Sequence, residues 1–373
     1  MNLIVAIVIA ILVYIVQQRI YAKLWNRNLD VTITFEDDYV EAGESSAVVE
    51  TIRNGKFLPL PVFHVKFSTD RSFRFEDQEN VAVTDGYYRN DVFSVMGHQK
   101  ITRRLTFQTT KRGLYGISGL NMTARDFFMT GNFANSMQSD AWLYVLPGKR
   151  KAPVLETCSS FILGELSAKR NLTEDPYMLT GIRDYAYGDT MSRINWKATA
   201  KTGDLKVNMY GYTAEQRVKI LLNLETNSMI KPEYLQEMSI ELASSVADML
   251  LRLKISTAIC SNGEDILSGN CEKLEAGASM EHRLSVDKYL ARIHKNKGIE
   301  VFLRILDQEI THPEKNVTYI VVSPYYKENL LLKLDYMKKQ GAGIFMLVPY
   351  YDIQDKTGWR SYMHGLEVKL NET

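Results

Sequence analysis

No side chain from Met1 to Gln18 is charged, and Leu3 to Val16 consists of Ile, Val, Leu, Ala and one Tyr. As a helix, residues 1–18 would rise about 27 Å, close to the hydrocarbon thickness of a bilayer. Eleven of the fourteen residues from Leu3 to Val16 are Ile, Val or Leu. At roughly 0.3–0.6 kcal/mol each they favour insertion by about 3–7 kcal/mol. A core helix or buried strand would need a partner surface. A secretory signal wants a positive start and a small-residue cleavage site, and neither is visible. The run therefore reads as a membrane anchor with the lipid bilayer as its partner. After it come Arg19, Lys23 and Arg27, with Tyr21 and Trp25 at interfacial depth. Positive charge on that flank predicts a single-pass protein of the cell membrane whose soluble domains are cytoplasmic.

The rest of the chain looks globular. Of 373 residues, 45% are apolar and 24% charged, enough to build ordinary cores. Lys plus Arg number 45 against 44 Asp plus Glu, so no global charge draws the chain to nucleic acid. Cys158, Cys260 and Cys271 form no C-x-x-C pair, which suits a reducing compartment and buried structural thiols.

Period-two alternation marks strands at Val31, Ile33 and Phe35, at Phe63, Val65 and Phe67, and at Ile101, Arg103, Leu105 and Phe107. Turns are expected at Ala42-Gly43-Glu44, Asn54-Gly55, Asp85-Gly86 and Lys111-Arg112-Gly113, with Asn54-Gly55 as a hairpin candidate. Pro59 and Pro61 imply an edge strand or an entry bend near Leu60. A basic linker begins near Pro147, and residues 155–180 carry no clear period, so an extended connection with at most one short helix is expected. From Arg217 strands and helices alternate, as in an open, mostly parallel sheet. The expected fold is α+β and multidomain. It comprises a transmembrane anchor and juxtamembrane segment (1–27), a β-sandwich (28–150), a connector (151–212) and an α/β domain (213–373).

The densest cluster of unusual residues runs from Gly181 to Lys201. Gly188-Asp189 reads as a turn, and Arg183 and Arg193 can clamp carboxylates such as Asp184 or Asp189. Trp196 offers a large apolar face, and Asn195 can serve both a donor and an acceptor. Such a set can staple the connector onto the α/β domain or present a surface to another protein; the residues alone favour the staple. Five basic residues here (Arg183, Arg193, Lys197, Lys201 and Lys206) are interleaved with Tyr185, Tyr187 and Trp196, but Asp184, Asp189 and Asp204 leave too little excess for a nucleic-acid groove.

This segment resembles the signature of domain-of-unknown-function family 58. Arg183, Tyr185, Gly188, Asp189, Arg193, Ile194, Trp196, Thr199 and Ala200 match it. Asp184 stands for the usual Glu, Thr190 and Asn195 for Asp, and Lys201 for Arg. Lys111 to Tyr115 through Arg125-Asp126-Phe127-Phe128 is similar to another family stretch. The resemblance implies a C-terminal domain similar to von Willebrand factor type A. It also implies a partner role beside a MoxR-type AAA+ ATPase and a protein client, and members more often carry two membrane helices.

Domains of the von Willebrand type often bind a divalent ion through Asp-x-Ser-x-Ser. The aligned residues are Glu225-Thr226-Asn227-Ser228-Met229. Magnesium wants hard oxygens in a tight octahedron, and here Glu225 is too long, Asn227 is neutral and Met229 is soft. No tight metal site and no cofactor are expected. Nucleophile-elbow, H-E-x-x-H and Walker motifs are absent, and the six histidines show no ligand spacing. The leading expectation is a non-enzymatic adaptor. The rival is a hydrolase of an envelope precursor using Asp184 or Asp189, although neighbouring arginines make such carboxyls poor general acids. A metal-dependent adhesin conflicts with both the altered ion loop and the expected topology.

Overall fold

A computed structural model describes residues 2–77, 81–84, 86–170, 179–210, 217–314, 316–351 and 358–368. The chain forms two compact units, Met1–Gly148 with Leu290–Arg292, and Lys149–Tyr289 with Ile293–Thr373.

The first unit opens with the helix Asn2–Leu24, of which Leu3–Leu24 is long and apolar enough to cross a membrane, with a mean hydropathy of 2.3. Its early side chains are exposed all round. Toward its end one stripe, Tyr14, Gln17, Gln18, Tyr21 and Leu24, followed by Trp25, turns inward. That spacing is the face of a helix lying on a surface. Tyr21 and Trp25 are buried in the core of the β structure. The Tyr21 hydroxyl donates to the Pro59 carbonyl at 2.9 Å, and Trp25 stacks on Phe133 with ring centroids 6.4 Å apart.

Two antiparallel sheets make up most of this unit. One runs Leu29–Phe35, Ser45–Asn54, Lys100–Thr109, Phe73–Phe75 in spatial order. The other runs Asn132–Met137, Ser118–Arg125, Leu60–Thr69, Tyr87–Val95, Val81–Val83. Tyr39–Glu41, Trp142–Leu146 and Gly113–Gly116 form a smaller third sheet. Val31, Ile33, Val48, Ile52 and Phe107 from the first sheet share one core with Phe63, Val65, Leu120 and Met122 from the second. The arrangement is therefore sandwich-like.

The alternations at Val31, Phe63 and Leu105 fall on observed strands with the expected face inward. Asn54-Gly55 is not a hairpin. The strand ending at Asn54 pairs with Leu29–Phe35 and Lys100–Thr109, while the strand that follows, from Leu60, belongs to the other sheet. Asn54 is buried, and its amide donates to the carbonyls of Leu58 and Met96, both at 2.9 Å, so it ties a crossing between sheets. Pro61 lies in a register shift between Leu60 and Phe63, an entry bend on an interior strand. Asp85 lies outside the described residues.

The sandwich buries an ion cluster. Arg89 Nε meets Asp91 at 2.7 Å and Nη2 meets Asp77 at 2.7 Å, while Arg103 contacts the same two carboxylates at 2.8 Å. Glu50 is buried nearby. Burial, and next the charge of Asp91, push its carboxyl up to about 8, against the pull of Arg103 and Arg89. A folded value above the ordinary 4.5 means the native state keeps a proton that the unfolded chain releases. That stability is full below about 4.5 and is lost as pH rises toward 8, with a slope of up to about 1.4 kcal/mol per pH unit. Glu50→Gln should abolish this loss, so the variant gains on the wild type between pH 5 and pH 8 in denaturant melts. Parallel pH profiles for the two proteins would contradict the assignment.

In the second unit six strands lie in the order Lys273–Gly277, Ser256–Ser261, Arg217–Leu222, Val317–Val322, Gly343–Tyr350, Met363–Glu367. All neighbours are parallel except the antiparallel edge strand Lys273–Gly277. Every residue of Val317–Val322 and Gly343–Tyr350 is buried, as expected for a sheet covered on both faces. The helix Pro232–Arg252 starts on Pro232, which supplies a suitable φ at a helix start, and buries Leu235, Met238, Leu242 and Val246.

The expected extended connection after residue 155 is instead the 18-residue helix Pro153–Arg170. Cys158 and Ile162, one turn apart, are fully buried, and Phe161 lies 5.3 Å from the Phe345 ring. Burial pushes the Cys158 thiol up to about 12 and the Cys260 thiol up to about 11, which makes both poor nucleophiles at neutral pH. Residues 171–178, the remainder of that stretch apart from 179–180, lie outside the described residues.

Candidate interaction site

The signature residues form a small module of their own. Leu179–Asp184 and Lys206–Tyr210 pair antiparallel, with Asp184 opposite Lys206 and Ile182 opposite Asn208. Between them the chain turns at Gly188, whose φ of +105° suits glycine, then makes a short 3-10 turn, Met191–Arg193, and the helix Trp196–Thr202.

Several polar signature residues have a local task. The Arg183 guanidinium grips Asp189 through two hydrogen bonds of 2.7 and 2.6 Å. The Ala186 amide donates to the same carboxylate at 2.8 Å. Those bonds, with the charges of Arg183 and then Arg193, pull Asp189 down to about 2. Asn195 caps the helix by accepting from the Ala198 amide at 2.9 Å, and its own amide donates to Asn208 at 2.8 Å. Asn is among the most favourable N-cap residues. Tyr185 and Asn195 use their backbone amides to bond Leu205 and Lys206, at 2.9 and 2.8 Å. Gly203, with φ +81°, ends the helix. Lys206 pairs with Asp184. Ile194 and Val207, bridged across the module, are its buried apolar pair.

These bonds run within residues 179–210. The stapling that the sequence suggested between connector and α/β domain is, for Arg183, Asp189 and Asn195, a set of bonds internal to the module. The large apolar side chains point elsewhere. Tyr187 is fully exposed, and Met191 and Trp196 are 67% and 64% exposed. The sequence placed Trp196 and Tyr185 in the site, counted Tyr187 only among the aromatics of the nucleic-acid reading, and gave Met191 no role. Their exposure follows from the turn, which no periodic pattern encodes.

The aligned ion loop lies just after the strand Arg217–Leu222. Glu225 accepts from the Asn296 amide at 3.1 Å, Ser228 bonds the Ile230 backbone at 3.1 Å, and Met229 is fully exposed. The Asn227 side-chain oxygen is buried with no hydrogen-bond partner among the described residues. No group of three or more His, Cys, Asp or Glu among the described residues is placed to hold a metal. At the ends of the neighbouring strands, Asn223, Asn262 and Ser323 are fully buried and bond one another. Asn262 donates to Asn223 at 2.8 Å, and Asn223 to Ser323 at 2.9 Å. Open parallel sheets bind ligands near such strand ends. Here these three side chains join the ends together. Sequence reading missed them because isolated Asn and Ser residues look like loop residues.

The fold and site thus define a mixed α+β chain with an apolar N-terminal helix, a sandwich-like unit and a mixed, mostly parallel sheet. No family model matches the chain, and no curated protein does. Solved structures similar to part of it include a cohesin in a type I cohesin–dockerin complex from Clostridium thermocellum. That match is 10% identical, covers 32% of this chain and 100% of the other, and has a TM-score of 0.23. A CARDB domain from Pyrococcus furiosus, in complex with di-metal ions, is 15% identical over 31% of this chain and 94% of the other, with a TM-score of 0.20. A non-cellulosomal cohesin from Archaeoglobus fulgidus is 13% identical over 31% and 91%, with a TM-score of 0.21. Likeness at this level carries no argument about ligands or partners.

Proposed function

We propose that this chain is a membrane-anchored, non-enzymatic adaptor whose signature module docks a MoxR-type AAA+ ATPase or that ATPase's client in an envelope-associated assembly system. One observation carries the reading: within the module Arg183 and Asp189 satisfy each other and Asn195 bonds Ala198 and Asn208, while Tyr187, Met191 and Trp196 face outward. Exposed aromatic side chains on a rigid support are what interface hot spots are made of.

The tether has separate support. Tyr21 and Trp25 belong to the sandwich core, so the end of the apolar helix is packed as part of the folded unit. Arg19, Lys23 and Arg27 on the following flank favour a cytoplasmic soluble part. The ATPase is named on the resemblance to family 58 alone. The first-in-chain strand of the parallel sheet lies between Ser256–Ser261 and Val317–Val322, which is compatible with the von Willebrand factor A-like reading. The hydrolase reading loses support at Asp189, which is held ionised at neutral pH and therefore cannot donate a proton.

The test is capture by the detergent-solubilised full-length chain, read by mass spectrometry. An AAA+ ATPase of the MoxR type is expected among the retained proteins. Its absence, together with turnover of an envelope precursor by the purified chain, would replace the adaptor with the hydrolase.

A further inference from the structure

We infer that the loop Phe127-Phe128-Met129 enters the lipid bilayer beside the anchor helix, giving the sandwich-like unit a second membrane contact. The inference rests on the reading of Asn2–Leu24 as a bilayer-spanning helix.

Three consecutive apolar side chains stand at this loop tip, and Phe127, Phe128 and Met129 are 63%, 50% and 57% exposed. The loop beneath them is firmly built. Asp126 is buried, and its carboxylate accepts the Thr130 amide at 2.8 Å and the Thr130 hydroxyl at 3.1 Å. Burial opposes its ionisation, but bonds from the Gly131 and Thr130 amides outweigh that and hold the carboxyl below its ordinary range. The Met129 amide returns to the Asp126 carbonyl at 3.0 Å, with Met129 at φ +59°, a conformation uncommon for a side chain of this size. A turn held this way presents its apolar tip outward instead of folding it onto the core.

Two ring contacts fix which way the tip points. Phe133, in the strand after the loop, stacks on Trp25 just past the end of the anchor helix. Phe128, at the tip, lies 6.3 Å from Tyr14, well up the same helix. The hairpin Ser118–Arg125/Asn132–Met137 thus climbs alongside the helix toward its N-terminus. Tyr14 lies within the uncharged stretch, five residues before Arg19. At 1.5 Å per residue the tip reaches about 7 Å beyond the first positive charge, the depth at which amphipathic elements seat in the headgroup–acyl boundary. Arg19 and Arg125, both exposed, stand where anionic headgroups would meet them. Continuity with the helix's apolar band is what selects lipid as the occupant over a protein surface.

The experiment uses the full-length chain with its three cysteines replaced, in vesicles of phosphatidylcholine and phosphatidylglycerol. Single spin labels are placed at Phe127→Cys, at Ile9→Cys in the helix, and at Ser45→Cys, the exposed first residue of its strand, at the end away from Leu29. Oxygen should relax the labels at 9 and 127 more than a water-soluble nickel chelate does, with the reverse order at 45. If 9 reports lipid but 127 behaves like 45, the second contact is refuted and the tether stands. If 9 itself reports water, the tether fails and the loop inference with it. A label at 127 shielded from both relaxers means a protein surface or a second copy covers the loop, which also overturns the inference.

Discussion

Arg89→Ala is expected to cost about 3–5 kcal/mol, against roughly 5–15 kcal/mol that hold a typical domain together. The guanidinium is fully buried and bonds Asp91 and Asp77, and Asp91 itself has no exposed side-chain surface. Removing the cation leaves that carboxylate with Arg103 alone, beside the buried Glu50. Desolvating a charge is tolerable when its partner is present and expensive when the partner is deleted. The double replacement Arg89→Met/Asp91→Leu removes both ends of the innermost pair and should recover much of the loss, since apolar isosteres often match a buried pair in stability. Chemical denaturation of the three proteins at pH 7 measures this. Arg89→Ala within about 1 kcal/mol of wild type would mean that the cluster is open to water.

The second large effect concerns the helix. Val8→Asp with Val13→Asp places two carboxylates in the apolar band and removes two favourable residues. Together these changes disfavour insertion by about 6–8 kcal/mol. That outweighs all but the top of the 3–7 kcal/mol estimated for the run itself. Both side chains are exposed and neither belongs to the stripe that meets the sandwich, so folding of the soluble part should be unchanged. The variant should move from the membrane fraction to the soluble fraction with the wild-type melting profile. Wild-type protein that is freely soluble with its first twenty residues intact would contradict the tether.

Strands with one apolar face were legible because burial repeats every second residue; Val31, Ile33, Phe63, Val65, Leu105 and Phe107 all face the core. Tyr87–Val95 was not legible, since its inward positions include Arg89 and Asp91 and a charged inward face reads as an outward one. Asn54-Gly55 misled because turn propensity is local, whereas the choice between hairpin and sheet crossing is made by distant strands. The helix Pro153–Arg170 hid because its buried positions include Cys158 and its middle carries Thr157, Ser159 and Ser160, all weak helix formers. In Ile299–Thr311 the helical period shows at Ile299, Phe302, Leu306 and Ile310, which lie in one apolar core. At the candidate site, Arg183, Asp189 and Asn195 were recognisable from their chemistry. Which aromatic rings face outward depends on the turn at Gly188, and that required coordinates.

The most direct measurement compares capture of a MoxR-type AAA+ ATPase by the full-length wild type and by the double variant Tyr187→Ser/Trp196→Ser, with melting temperatures recorded alongside. Loss of an aromatic hot spot is worth about 2 kcal/mol or more, or roughly thirtyfold in affinity. Binding weakened by at least that factor at unchanged melting temperature is the predicted result. Equal capture by both proteins would mean that these outward rings serve no partner, and the account of the module as a docking surface would be wrong.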